Sequence, residues 1–198
     1  MKFIRENSFE TFLGEKVLLY GETYTKKTYY TSKFVKFLLE RKKYRPKKIT
    51  ILDFAPELQN IKGLKIGGKI KDYYEKSLKC NYLTISGKII PPRLTAENRR
   101  ELQGFAKQNY NKTSAALKKY KDAPTKIVIM NDISIYLQIG DPMEILEVIN
   151  QSKTFFGNSY YGTSISNDFS RDFSLREKKR VEILVNKITK SYHSDEFL

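Results

Sequence analysis

The residues best placed to do chemistry lie close together in Gly21-Glu22-Thr23-Tyr24-Thr25-Lys26-Lys27-Thr28. A short apolar run, Val17-Leu18-Leu19-Tyr20, precedes them and an amphipathic segment follows. A loop between a strand and a helix can hold an anion, because consecutive backbone N–H groups curl around it at the positive end of the helix dipole. The spacing nearly spells G-x-x-x-x-G-K-[ST], in which a lysine reaches the outer phosphates of a nucleotide and a hydroxyl binds Mg²⁺. By position Lys27 is that lysine and Thr28 that hydroxyl, while Gly21, Thr23, Tyr24, Thr25 and Lys26 supply backbone. Lys26 stands where the pattern has its second glycine, so the loop needs either a lysine at positive φ or a different shape. The competing reading is a strand-to-helix turn that happens to be rich in Thr and Lys.

Three further positions could complete such a site. Asp53 closes the run Lys48-Ile49-Thr50-Ile51-Leu52, where a carboxylate can hold a Mg²⁺-bound water or orient an attacking one. Asn131-Asp132 closes Lys126-Ile127-Val128-Ile129-Met130, which makes Asp132 a second candidate acid for catalysis and metal binding. Asn158 follows Lys153-Thr154-Phe155-Phe156-Gly157. Each of the three also has an ordinary reading as a turn former or helix cap.

The elements that must position these residues alternate. Strands are expected at 16–20, 48–53, 82–86, 126–130 and 153–157. Helices are expected at 27–42, with Thr31, Phe34, Val35, Leu38 and Lys42 on one face, and at 95–121, capped by Thr95. Two more begin at Asp141-Pro142-Met143-Glu144 and at the capping box Ser174-Leu175-Arg176-Glu177. Residues 57–81 break the pattern, and Gly63, Gly67 and Gly68 suggest a loop or small hairpin there. The expected fold is three-layer α/β: a mostly parallel sheet of five or more strands with helices on both faces. Its ligands would sit at the carboxyl ends of the strands. One domain of 198 residues is expected, with 1–15 as an N-terminal arm and 193–198 as a flexible tail.

Composition narrows the chemistry. One histidine, His193, and one cysteine, Cys80, leave little for Ser-His-Asp, Cys-His or cysteine-rich metal chemistry. No apolar run approaches the ~18–20 residues of a membrane span. The N-terminal segment lacks the apolar stretch of a secretory signal, which gives a cytoplasmic expectation. The 37 basic and 22 acidic side chains leave +15, which draws polyanions: nucleotides, nucleic acid or anionic membranes. Abundant Lys, Ile and Tyr with little His and Cys also suits a heat-loving source.

Over roughly residues 16–160 the chain resembles the P-loop NTPases, and within them the class of the partitioning and nitrogenase-iron-protein-like ATPases. The resemblance rests on Gly21-Glu22-Thr23-Tyr24-Thr25-Lys26-Lys27-Thr28, on Ile51-Leu52-Asp53-Phe54-Ala55-Pro56, and on Asn131-Asp132. It implies a P-loop-like fold, a bound ATP or GTP with Mg²⁺, NTPase or phosphoryl-transfer activity, and a homodimer. It also implies that Asn158 reads the base. Two departures stand out: Lys26 replaces the loop's second glycine, and Glu22 stands where that class carries an extra lysine. The alternative function is polyanion binding on a non-hydrolysing P-loop fold, with Tyr24, Tyr29 and Tyr30 beside Lys26, Lys27 and Lys33 as one candidate surface.

Overall fold

A computed structural model describes residues 6–61, 63–83, 85, 87–165 and 168–196. Its centre is one six-stranded sheet in which every pairing is parallel. The strands are β1 (Lys16–Gly21), β2 (Ile49–Asp53), β5 (Asn81–Leu83), β6 (Ile127–Asn131), β7 (Thr154–Tyr160) and β8 (Lys190–His193), in the order β5-β2-β6-β7-β1-β8. A separate antiparallel hairpin, β3 (Gln59–Ile61) and β4 (Leu64–Ile66), occupies the stretch where the apolar pattern breaks down.

Alternation along the central strands sends side chains into two cores. Val17, Leu19, Ile49, Ile51, Ile129 and Phe156 face α1 (Lys27–Lys36) and a 3₁₀ turn, Glu6–Phe12. Leu18, Leu52, Val128, Met130 and Phe155 face α4 (Arg99–Asp122), α5 (Ser134–Leu137), α6 (Pro142–Gln151) and α7 (Arg171–Lys187). Two buried faces explain why these strands read as unbroken apolar runs. Phe34 of α1 stacks on Phe156 at 4.5 Å between ring centroids, and Phe9 meets Phe34 edge-on at 5.5 Å. The short α2 (Ile70–Tyr73) and α3 (Pro92–Thr95) flank the carboxyl edge of the sheet.

Several boundaries differ from expectation. The first helix is regular to Lys36 and then widens into a π-type turn, Phe37–Arg41, where Lys42 N donates to Phe37 O. Lys42 is therefore exposed, although Thr31, Phe34, Val35 and Leu38 are buried as expected. Thr95 ends α3, and α4 is capped instead by Asn98, whose side chain accepts from Glu101 N. Asp141 caps α6 as its sequence indicates. α7 begins a turn before Ser174, so Ser174-Leu175-Arg176-Glu177 lies inside the helix and Glu177 is buried. Residues 190–193 form β8 at the edge beside β1, and Ser194–Glu196 make a 3₁₀ turn, so the expected tail is built into the fold as far as it is described. Phe9 and Phe12 likewise bury part of the expected arm. Residues 1–5, 197–198, Thr84 and Ser86 lie outside the described residues. No described helix is long and apolar enough to cross a membrane.

Candidate functional site

The loop after β1 closes onto the N-terminus of α1 through two left-handed residues. Tyr24 has φ 61°, and Lys26, the residue before the helix, has φ 55° and ψ 15°. Lys26 thus adopts the conformation that glycine adopts without steric cost, at a strain of roughly 1–2 kcal/mol for an L-residue. Gly21 opens the loop at φ 144°, and a Cβ there would overlap Ser194 Oγ. That position is closed to any other residue by both backbone and space.

Among the described residues, none accepts a hydrogen bond from the backbone N–H groups of residues 24–28. These are the orphan donors expected where a loop runs into a helix. Lys27 is buried and folds back over the loop. Its Nζ donates to Gly21 O at 3.0 Å, to Thr25 Oγ1 at 2.8 Å and to Glu22 O. Burial pushes its pKa down to about 8, against the opposing charges of Asp132 and Glu22.

Glu22, the departure at the loop's second position, has a structural task. Its carboxylate accepts from Thr23 N at 3.2 Å, Ser164 N at 3.0 Å, Thr163 N and Ser164 Oγ, fastening the loop to the segment after β7. Partial burial alone would raise its pKa, but the hydrogen bonds from Ser164, Thr163 and Thr23 hold it below the usual carboxylate range.

Behind the loop runs a polar network along the carboxyl edge of the sheet. Thr28 Oγ1 donates to Asn131 Oδ1 at 3.1 Å, and Asn158 Nδ2 donates to the same oxygen at 2.7 Å and to Thr31 Oγ1 at 2.9 Å. Asn158 Oδ1 accepts from Asp132 N at 3.0 Å. Asn131 Nδ2 donates to Asp53 Oδ1 at 2.7 Å. Asp132 follows β6 in a left-handed conformation, φ 56°, and its Oδ1 accepts from Ser134 Oγ at 2.6 Å. Burial raises its carboxyl pKa; the Ser134 hydrogen bond and the charges of Lys27, Arg93 and Lys69 oppose the rise.

The structure brings together Thr23, Tyr24, Thr25, Lys26, Lys27, Thr28, Asp132 and Asn158 on the wall of one cavity of about 600 Å³, a size ordinary for a small-molecule site. Gly21 sits behind this wall, joined to it through Lys27. Asp53 does not reach the cavity wall. Both its oxygens are engaged, Oδ1 by Asn131 and Oδ2 by Ile70 N at 2.8 Å and by Tyr82 OH. Burial raises its pKa, with Lys69 and these hydrogen bonds opposing. β6 and β7 stand between β2 and β1, so the acid ending β2 is too far along the sheet edge to meet the loop. Asn158 also departs from its expected place. It lies within β7, because β7 continues beside β1 as far as the Gly21–Tyr160 pair, and its side chain cross-links α1 to β6.

Three further residues of the cavity lining gave no signal in the sequence. Arg93 and Gln138, each 4% exposed, and Ser134, 2% exposed, line the cavity opposite the loop. Arg93 is held by Glu177 Oε1 at 3.0 and 3.1 Å, and it lies over the Tyr160 ring at 5.0 Å. Its only cue is its place after Pro91-Pro92, and Glu177 lies 84 residues further on. Among the described residues, no group of three or more His, Cys, Asp or Glu side chains could enclose a metal ion. A hard cation here would depend on the Thr28 hydroxyl, the Asp132 carboxylate and oxygens from its ligand or water. No protein-family model matches the chain, and comparison with curated proteins returns no match.

Proposed function

We propose that this chain binds a nucleoside triphosphate, ATP or GTP, with Mg²⁺ in the cavity at the carboxyl edge of its sheet, and that it hydrolyses the nucleotide or transfers its terminal phosphoryl group. The observation that carries the reading is the left-handed Lys26. It keeps the turn that a glycine would otherwise supply, and leaves the N–H groups of residues 24–28 unpaired among the described residues at the positive end of a ten-residue helix. Residues and ligand are compatible in charge. Lys27 rests on carbonyl oxygens of its own loop, which a phosphate oxygen can replace as partner, and the move restores the proton that burial disfavours.

In this reading Lys27 neutralises the outer phosphates, Thr28 offers its hydroxyl to Mg²⁺, and Asp132 accepts hydrogen bonds from metal-bound water. Mg²⁺ would be held by the Thr28 hydroxyl with Asp132 nearby, and would supply positive charge that offsets the charge developing on the phosphates. Asp53 holds Asn131 in place, and Asn131 in turn orients Thr28. Asn158 positions the N–H of Asp132.

A thermal-shift titration tests the proposal. Mg-ATP or Mg-GTP at millimolar concentration raises the melting temperature of the wild type, and Lys27→Ala removes most of the shift. A wild type that neither nucleotide shifts, or a shift unchanged in Lys27→Ala, sinks it.

A second reading, polyanion binding, is favoured by one separate feature. In residues 41–48 all but Pro46 are exposed, and six of these eight residues are Lys or Arg. The run precedes β2, at the amino ends of the strands and away from the cavity. The two readings therefore concern different surfaces and are compatible.

A further inference from the structure

The opposite edge of the sheet, where the strands begin, has a pattern of its own. Ile49, Ile127 and Thr154 are the first residues of β2, β6 and β7, three neighbouring strands. Ile127 is paired with Ile49 on one side and with Thr154 on the other. Each of the three is preceded by a lysine: Lys48, Lys126 and Lys153. The pairing therefore sets these lysines side by side, one per strand, at the strand spacing of about 4.8 Å. Lys153 N donates to Lys126 O at 2.8 Å, which fixes the alignment between β6 and β7. All three residues are exposed, and among the described residues no side chain or carbonyl partners their ammonium groups.

Other cations at this edge are answered. Lys16 of β1 donates to Ser152 O and, at 3.1 Å, to Ser152 Oγ. Lys190 of β8 pairs with Glu15 at 3.2 Å, Lys121 with Glu147 at 2.6 Å, and Lys42 with Glu10. Asp122 ends α4 shortly before Lys126, yet it pairs with none of the three lysines. Like charges set opposite one another on neighbouring strands repel. The carbonyl ends of α4 and α6 reach the same edge and offset part of that repulsion. The file of cations continues past β2 into the preceding turn, where Arg41, Lys43 and Arg45 are exposed and also unpaired among the described residues. Tyr44, 39% exposed, stands between two of them. A line of cations at a regular repeat fits a linear polyanion, whereas a membrane surface gains nothing from a line. The exposed ring adds a flat face on which an unpaired base can stack. A duplex keeps its bases inside and cannot use that face.

We propose that the amino edge of the sheet binds single-stranded nucleic acid, with phosphates along Lys153, Lys126 and Lys48 and a base against Tyr44. The proposal rests on the polyanion reading above and makes it specific. It is independent of the cavity and of any nucleotide there.

The probes are fluorescein-labelled oligothymidylate of about 20 nucleotides, a duplex of the same length and phosphatidylserine vesicles, with heparin retention measured on the same protein. The wild type binds the single strand about fivefold more tightly than the duplex, the margin one stacked base supplies. Lys126→Gln with Lys153→Gln makes the slope of log affinity against log salt shallower by about 1.4, the share of two phosphate contacts on a single strand. Tyr44→Ala weakens binding about tenfold and leaves the slope as it was. Lys107→Gln with Lys179→Gln removes the same charge from exposed positions on α4 and α7 and also leaves the slope unchanged. A single strand bound no better than the duplex, equal slopes in the two double variants, or binding to vesicles without binding to the oligonucleotide overturns the proposal. Retention on heparin without oligonucleotide binding also overturns it but leaves the polyanion reading standing, and no retention on heparin removes both. The four substituted lysines are exposed and unpaired among the described residues, so their loss leaves the fold in place.

Discussion

At the scale of single residues, the loop carries two energetic oddities that make measurable predictions. Lys26 holds a left-handed conformation that glycine tolerates without strain. Lys26→Gly relieves the strain but frees the unfolded chain, and these terms partly cancel. The expected result is a stability change within about 1 kcal/mol in either direction by urea denaturation, with the Mg-ATP shift retained. Gly21→Ala is the contrasting case: the added methyl meets Ser194 at a φ that L-residues avoid, so a loss of roughly 2 kcal/mol or more is expected. Lys27 gives a pH signature. Its folded pKa of about 8 lies below the ordinary 10.5, so between those values the unfolded chain keeps a proton that the folded one has released. Stability contributed by this group is therefore lower below about pH 8 and rises through the window, by about 3 kcal/mol at most. Urea denaturation from pH 7.5 to 10.5 should show the wild type gaining stability relative to Lys27→Met. By the same linkage, nucleotide binding near pH 8.5 should take up a proton. Calorimetric enthalpies that do not vary with buffer ionisation heat would contradict a role for Lys27 at the phosphates.

At the scale of elements, the buried pair Arg93–Glu177 ties α3 to α7. Removing one partner strands the other in a low-dielectric interior, so Arg93→Met alone should cost about 3–5 kcal/mol, while Arg93→Met with Glu177→Met should recover most of the loss. Chemical denaturation of the three variants checks this, and equal losses in the single and double variants would show that packing outweighs the charges. The same pair shows where sequence reading ran out. The strands at β1, β2 and β6 and the cap at Asp141 were legible because their signals are local: apolar runs buried on both faces and an Asp-Pro helix start. Residues 23–28, which share one cavity wall, were legible as a group because they are contiguous. Glu177 reads as a capping residue because Ser174-x-x-Glu177 fits that pattern locally, whereas the packing of α7 against α5 and the Arg93 contact from α3 start the helix earlier and turn the glutamate inward. Asp53 misled for a related reason. A strand-ending acid looks the same in sequence whether its strand neighbours β1 or stands three places away, and strand order depends on crossovers that leave no mark on the residues. Gln138 and Ser134 were invisible because α5 is a single turn with no periodicity to read.

For the whole molecule, net charge and fold act on different things. The +15 balance sets long-range attraction to polyanions, and residues 41–48 concentrate part of it away from the cavity. Retention on heparin that weakens steeply with salt is expected. Replacing Lys43, Arg45, Lys47 and Lys48 by Gln should lower the eluting salt concentration while leaving the Mg-ATP shift unchanged; elution identical to wild type would place the attraction elsewhere.

The edge strand β8 adds a consequence in time. The loop is made well before β7 and β8, but β1 pairs with both, Lys16 is joined to Thr189 across 173 residues, and Ser194 packs on Gly21. Parallel neighbours this distant in sequence cannot form until both have been synthesised. The loop of residues 21–28 should thus be completed only once β8 has been made. A nascent chain arrested before β8 emerges would carry every residue of the loop and still lack its finished conformation, so the proposed nucleotide affinity, measured on arrested chains, should appear only when β8 does.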